Sequence, residues 1–175
     1  MMNCSKIYAE IPFAHRQYLH GGHCARIHGH NWTIKLTFSC DAFDSCGFVV
    51  DFGNLKYIKS WINEHLDHAC VLAAADPAKE TIRALEPELF KLYEVENASC
   101  EGLSLHLWAI FSELLFKHEG ARVWISQLDL FEDSHNATCY VPPLADITRI
   151  RRSNASADAK TVTAYNSIIP CAVTV

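Results

Sequence analysis

A chain of 175 residues, half of them apolar and a fifth charged, can bury one ordinary core, and a second domain is not expected. Its formal charge of −5 excludes a nucleic-acid partner held by bulk basicity, while leaving room for a local pocket that takes a phosphorylated small molecule. No apolar run approaches the roughly 18 residues of a membrane span, and the opening MMNCSKIYAEIP has no signal-peptide core, so a cytoplasmic protein without a membrane partner is expected.

Residues 6–15 alternate, which predicts a strand with Ile7, Ala9, Ile11 and Phe13 on one side and Tyr8 and Glu10 on the other. Residues 31–40 repeat the pattern: Trp32, Ile34, Leu36 and Phe38 face one way, and Thr33, Lys35, Thr37 and Ser39 the other. The intervening HRQYLHGGHCARIHGH is polar, rich in histidine and glycine, and longer than a structural hairpin needs, which marks a functional loop. After a turn at 44–47, Val49-Val50-Asp51 reads as a short extended piece. Asp51 caps or leads into a helix whose apolar stripe is Leu55, Ile58, Ile62 and Leu66.

A short helix is expected over 77–85 and an edge strand over 89–95. A second long helix over 101–117 should bury Leu107, Trp108, Phe111, Leu114 and Leu115, and 123–132 with 137–141 should close as a strand pair. The order strand, strand, helix, helix, strand, strand predicts an α+β fold with its helices on one face of the sheet. Residues 144–175, which carry Arg149, Arg151 and Arg152, show no clear periodicity. They are expected as an extension outside a single domain of 1–143. The eight cysteines contain no C-x-x-C pair. They point to a reducing environment, with Cys40 and Cys70 acting as small apolar fillers.

His28-Gly29-His30 is the sharpest local signal. In an extended segment residues i and i+2 share a face, so both imidazoles can reach one ion, and His15 at the end of the preceding strand can add a third nitrogen. Three histidines leave one position of a tetrahedral zinc open, as in a catalytic site. Cys24 has several readings: a nucleophile or base beside a dication and Arg26, a fourth ligand closing a structural site, or a buried inert thiol. Asp67-His68 can be a carboxylate orienting a proton-transferring histidine, or a polar pair suited to a helix C-terminus. Glu132, ending an apolar strand, is similarly double-valued.

Taken together, F-A-H-R (13–16), C-A-R-I-H-G-H-N-W (24–32), V-V-D-F-G-N-L-K (49–56), L-D-H (66–68), S-C-E (99–101) and F-E-D (131–133) occur in an order that resembles the 6-pyruvoyltetrahydropterin and 6-carboxytetrahydropterin synthase family. The resemblance covers about residues 6–141. It implies the tunnelling fold: a four-stranded antiparallel sheet with two helices on one face, oligomerising into a barrel and on into a homohexamer whose active sites lie between subunits.

It also implies Zn2+ on His15, His28 and His30, a catalytic thiol at Cys24, and proton transfer by Asp67 and His68. Glu132, with Ser99 and Glu101, is then expected to bind the pterin of a small-molecule pterin triphosphate. The segment 98–101 reads A-S-C-E where the family's usual form is P-T-x-E, and His23 stands where a lysine is common. The spacing from Cys24 to His28, with Asp51-Phe52, resembles the carboxy-forming branch, which works towards 7-deazaguanine nucleosides such as queuosine. The alternatives are the pyruvoyl-forming reaction of the biopterin branch and a zinc-held binding module without turnover.

Overall fold

The computed structural model describes residues 2–86 and 88–153. Its frame is the antiparallel hairpin of β1 (Asn3–His15) and β2 (His28–Cys40). There follow α1 (Lys56–His65), β3 (Ala69–Ala73), α2 (Lys79–Arg83), β4 (Lys91–Val95), α3 (Cys100–Glu119), β5 (Val123–Phe131), β6 (Ala137–Tyr140) and α4 (Leu144–Ser153). The strands form one sheet in the order β4-β3-β1-β2-β5-β6. The pairs β1–β2, β2–β5 and β5–β6 are antiparallel, whereas β3 runs parallel to both β1 and β4.

The expected α+β class holds, but the expected four antiparallel strands and two helices do not. The described residues form a mixed sheet of six strands with four α-helices. The missed strand is Ala69-Cys70-Val71-Leu72-Ala73, buried at every position. A strand covered on both faces has no alternation to read, and five apolar residues are too few to distinguish it from a buried helical turn.

β2 keeps period two through Phe38: Trp32, Ile34, Leu36 and Phe38 are all fully buried. β1 does not. Tyr8 pairs with Ile34 and Ile11 with Trp32, so β1 holds one extra residue, and Glu10 takes a left-handed φ of 59° in that bulge. The face expected for residues 7–13 is therefore corrected. Tyr8 is buried and Ile7 exposed before the bulge, and Ile11, Phe13 and His15 are buried after it.

α1 lays Leu55, Ile58, Ile62 and Leu66 into the core as expected. Asp51 is not its cap; the Asp51 carboxylate instead accepts the Gly53 N–H at 2.8 Å within the preceding turn. α3 is capped by Ser99, whose hydroxyl accepts the Gly102 N–H at 3.0 Å, and ends at Gly120 with a φ of 71°. Leu103, Leu107, Trp108, Phe111 and Leu115 bury its inner face.

Residues 144–153, expected outside the core, form α4. Ile147 and Ile150, one helical turn apart, join the main cluster beside Trp108, Phe116 and Trp124. Arg151 stacks over the Trp124 ring at 4.7 Å, donates to the Ala121 carbonyl at 2.8 Å and pairs with Asp41; Arg149 pairs with Asp146. The buried apolar content of this helix is two isoleucines, with Leu144 exposed, too sparse for a periodicity signal. The remainder of the expected extension, 154–175, lies outside the described residues. Ile150→Ala should cost about 2 kcal/mol of stability, the lower end for a core isoleucine because the site is peripheral. Denaturant unfolding checks this.

A part-buried pair between β4 and α3 links stability to pH. His106 Nε2 shares a 2.7 Å hydrogen bond with the Tyr93 hydroxyl, and burial pushes the His106 pKa from 6.5 down to about 4. The unfolded chain takes up this proton near 6.5 and the folded chain only near 4. Above the unfolded value the pair loses nothing. Between the two values stability falls with falling pH, by up to about 3 kcal/mol. His106→Gln should therefore lose less stability than the wild type between about pH 7 and 4.5. Parallel denaturation curves across that range would reject this reading.

Candidate active site

The end of the β1–β2 hairpin sets the site. Its ladder pairs Phe13 with His30, Ala14 with Gly29 and His15 with His28, so the three imidazoles meet on one face. Ring centroids lie 4.6 Å apart for His15–His28, 5.1 Å for His28–His30 and 5.5 Å for His15–His30. Trp32 forms the floor, its ring edge-on to His15 at 5.0 Å and stacked on Phe13 at 4.5 Å. Glu132 arrives from the end of β5, with Oε1 at 3.1 Å from His15 Nε2 and 3.6 Å from His30 Nε2.

Two rings have their tautomers assigned by the backbone. His15 Nδ1 lies 2.8 Å from the Ala98 carbonyl and His28 Nδ1 lies 2.8 Å from the Arg26 carbonyl. A carbonyl only accepts, so each Nδ1 carries the proton and each Nε2 presents a lone pair. His15 Nε2 and His30 Nε2 are buried without a hydrogen-bond partner, and the first faces a carboxylate oxygen, which is also an acceptor. Acceptors turned on one another repel unless a cation lies between them. A proton on His15 is disfavoured: burial is the largest influence and lowers its pKa, the Ala98 carbonyl raises it, and His28 lowers it again. One ligand atom from each of His15, His28, His30 and Glu132 lies within 4.8 Å of the others. A tetrahedral zinc with bonds of about 2.0–2.1 Å would space its donors roughly 3.3–3.4 Å apart, so the donor set fits such an ion.

A cavity of about 420 Å³ opens beside the cluster. His15, Cys24, His28, Ser99, Glu101 and Glu132 all line it. Cys24 sits half-buried in a single 3-10 turn, His23–Ala25, and its sulfur stays outside the four-donor cluster. Ser99 and Glu101 bring the N-terminus of α3 to the rim. This close approach needs Gly102, where a Cβ would lie 2.4 Å from the Asn97 carbonyl oxygen. Sequence reasoning missed Gln17, His20, His135, Asn136 and Thr138, which also line the cavity. His20 was recoverable from the histidine-rich loop. His135 and Asn136 belong to a turn whose only signal is its position after Glu132. Cys100 packs at the wall, 3.5 Å from the Leu130 carbonyl, and burial pushes its thiol pKa up.

Asp67 and His68 are not brought to this cavity within one chain. His68 is largely exposed and lines a separate hollow of about 580 Å³ with Phe13, Asn31, Ala69, Leu89 and Phe90. The pair itself is formed, with His68 Nδ1 2.8 Å from Asp67 Oδ1, and His68 has a φ of 60°. A non-glycine residue in that region costs about 1–3 kcal/mol and tends to occur where geometry serves a function. The His68 N–H bonded to the Pro12 carbonyl at 2.7 Å holds the conformation.

Removing any one of the three histidines, for instance His28→Ala, should lower zinc uptake sharply. Cys24→Ala should retain the metal. Equilibrium dialysis with zinc analysis decides it: metal loss in Cys24→Ala as complete as in His28→Ala would make the thiol a ligand.

Comparison with known proteins bears on the family and the fold. Residues 5–143 match the family described as 6-pyruvoyl tetrahydropterin synthase. A 6-carboxy-5,6,7,8-tetrahydropterin synthase of Rickettsia bellii is 31% identical over 144 residues, spanning 81% of this chain and 99% of that protein. A Rickettsia typhi protein of the same name is 28% identical over 145 residues, with the same coverage of both chains. Among solved structures, an uncharacterised protein of Wolinella succinogenes superposes with a TM-score of 0.69 at 16% identity, covering 81% of this chain and 98% of that one. A 6-pyruvoyltetrahydropterin synthase variant of Plasmodium vivax gives 0.59 at 16% identity, covering 82% and 100%. At that identity the structures speak for the fold alone. The match along residues 5–143 establishes that the chain belongs to the 6-pyruvoyl tetrahydropterin synthase family.

Proposed function

We propose that this protein converts 7,8-dihydroneopterin triphosphate to 6-carboxy-5,6,7,8-tetrahydropterin, releasing acetaldehyde and triphosphate. The observation that carries the reading is that His15, His28 and Glu132 of the metal-type donor cluster open on one cavity with a cysteine, four positions before His28, in a chain of this family. The Rickettsia relatives bear the name of that reaction product.

His15, His28 and His30 would hold zinc, which when bound supplies Lewis acidity to the side-chain hydroxyls of the substrate. Glu132 accepts N–H groups of the pterin edge, since an ionised carboxylate offers two acceptor oxygens to a guanidine-like pair of donors. Ser99 and Glu101, at the rim, flank the same ring. Cys24 removes a carbon-bound proton from the side chain as general base. His68 handles protons on the opposite face. Asp67 accepts its Nδ1–H, which leaves Nε2 free to take or give a proton. Because His68 and Cys24 lie in different hollows of one chain, this reading requires a second copy to bring its Asp67 and His68 to the cavity, in a homo-oligomer.

The short Cys24-to-His28 spacing favours this branch: two fewer residues than in the C-x5-H-G-H that the pyruvoyl-forming branch resembles would shift the sulfur along the side chain and expose a different proton. The structures of the same fold from Plasmodium vivax and Caenorhabditis elegans carry the 6-pyruvoyl name, so the simple rearrangement is the other outcome to test. Given 7,8-dihydroneopterin triphosphate, the purified protein should release trapped acetaldehyde in near-equal amount to substrate consumed, and Cys24→Ala should abolish turnover. Full conversion without acetaldehyde would move the protein to the pyruvoyl-forming branch. No conversion by the folded, zinc-loaded protein would leave a binding role.

A further inference from the structure

The cavity beside the histidines has unequal walls. Glu132 and Glu101 stand on the sides built by the end of β5 and the start of α3, and no lysine or arginine is among the lining residues. The remaining side is the loop after β1, which contributes Gln17, His20 and Cys24 and no carboxylate. An anionic group entering here is repelled by the two acids and meets the loop as the wall without a negative side chain.

That wall carries N–H donors in need of acceptors. Gln17 Nε2 is buried and has no hydrogen-bond partner among the described residues, although the residue lines the cavity. A buried amide donor left unmet is costly, and the rotatable bonds of the Gln17 side chain give it the freedom to turn to an acceptor in the cavity. His20 is folded back on its own loop, its Nδ1 accepting the Gly22 N–H at 2.9 Å. A backbone N–H only donates, so the His20 ring proton sits on Nε2, where it is a donor. Gly22 permits this fold, since a Cβ there would lie 2.9 Å from His20 Cε1. The backbone closes the loop: the Gln17 N–H donates to the Cys24 carbonyl at 2.8 Å and the His20 N–H to the Gln17 carbonyl at 2.9 Å.

We infer that Gln17 and His20 form the subsite for the phosphoryl chain of the substrate, recognising it through neutral N–H donors rather than through lysine or arginine. The inference rests on the reading of the cavity as a pterin triphosphate site. On that reading Glu132 takes the ring and the histidine cluster the side-chain hydroxyls, so the phosphates at the far end continue past His15 to the loop that follows it. Phosphate oxygens are acceptors throughout, and each N–H bonded to one makes a charge-assisted hydrogen bond. Neutral donors hold the chain less strongly than cations do, which suits a group that must depart as triphosphate.

Calorimetric titration of zinc-loaded Cys24→Ala protein, which should bind substrate without consuming it, tests this with two ligands. One is 7,8-dihydroneopterin triphosphate; the other is 7,8-dihydroneopterin, which lacks the phosphates. The first should bind more tightly. Adding His20→Ala or Gln17→Ala should weaken it by about tenfold, the loss of one charge-assisted hydrogen bond, and leave dihydroneopterin within about twofold. Gly22→Ala should reproduce His20→Ala, because the added methyl displaces the ring, and His20→Gln, which keeps an N–H donor, should recover part of the loss. Where thermal melting shows Gln17→Ala poorly folded, the exposed His20 carries the comparison. Equal weakening of both ligands would make these residues mere supports of the loop, and no weakening would remove them from the site; either result overturns the subsite. If the Cys24→Ala protein binds the two ligands equally, the phosphates have no subsite and the pterin reading stands. If it binds neither, the pterin reading falls as well.

Discussion

Three strands converge on the histidine cluster, and a strand can offer any given residue to only one of its two faces. That phase constraint governs the rest of the molecule. β2 runs without irregularity, so His28 and His30 lie on the same face as the fully buried Trp32, Ile34, Leu36 and Phe38. Each neighbour of β2 carries one extra residue. In β1 the bulge falls between Tyr8 and Ile11; in β5 it falls where Phe38 pairs with Ile125 and Thr37 with Gln127. Past the first bulge, Ile11, Phe13 and His15 face inward. Past the second, Leu128, Leu130 and then Glu132 do. Without these two residues, the same apolar alternation at the far ends of β1 and β5 would turn His15 and Glu132 to the opposite face of the sheet.

The core and the site are consequently one construction. Trp32 is both a floor for the imidazoles and a core residue stacked on Phe13, and its indole N–H donates to the Phe13 carbonyl at 3.2 Å. The proton on His15 is placed by Ala98, the residue before the cap of α3, so the helix that buries Leu103, Leu107 and Phe111 also orients a candidate ligand. Arg16, next to His15, pairs at 2.8 Å with the buried Asp76, tying the end of β1 to the segment after β3. Loosening the sheet under α3 would disturb ligand orientation before it unfolded the chain, because the acceptor for His15 comes from outside its own strand.

The separation of Cys24 from the Asp67–His68 pair carries a different consequence. β3 starts directly after His68 and runs parallel to β1, which holds the pair at the far side of the hairpin from the thiol. The left-handed backbone at His68 is a local cost the fold maintains. On the proposed reading that cost is met because His68 serves the cavity of a neighbouring copy. Catalysis would then depend on assembly, and each chain would contribute a metal-binding half and a proton-transfer half to different sites.

Local pattern by itself determined a good deal: the α+β class, the long hairpin, the stripe of α1, the long α3 and the three histidines. Each of these is written in spacing a few residues long, read by period two or by period 3.6. Tertiary structure alone decided the rest. The bulges are invisible locally because apolar residues occur at both phases of β1. The buried strand β3 has no period. α4 has two isoleucines whose burial depends on finding Trp108 and Trp124. The sequence could nominate Glu132 as an acid at a strand end, but not say what it faces. That depends on the register of β5 against β2 and of β2 against β1, set by the packing of the whole sheet against α1 and α3. A side chain's type is local information; the group it meets across the sheet is not.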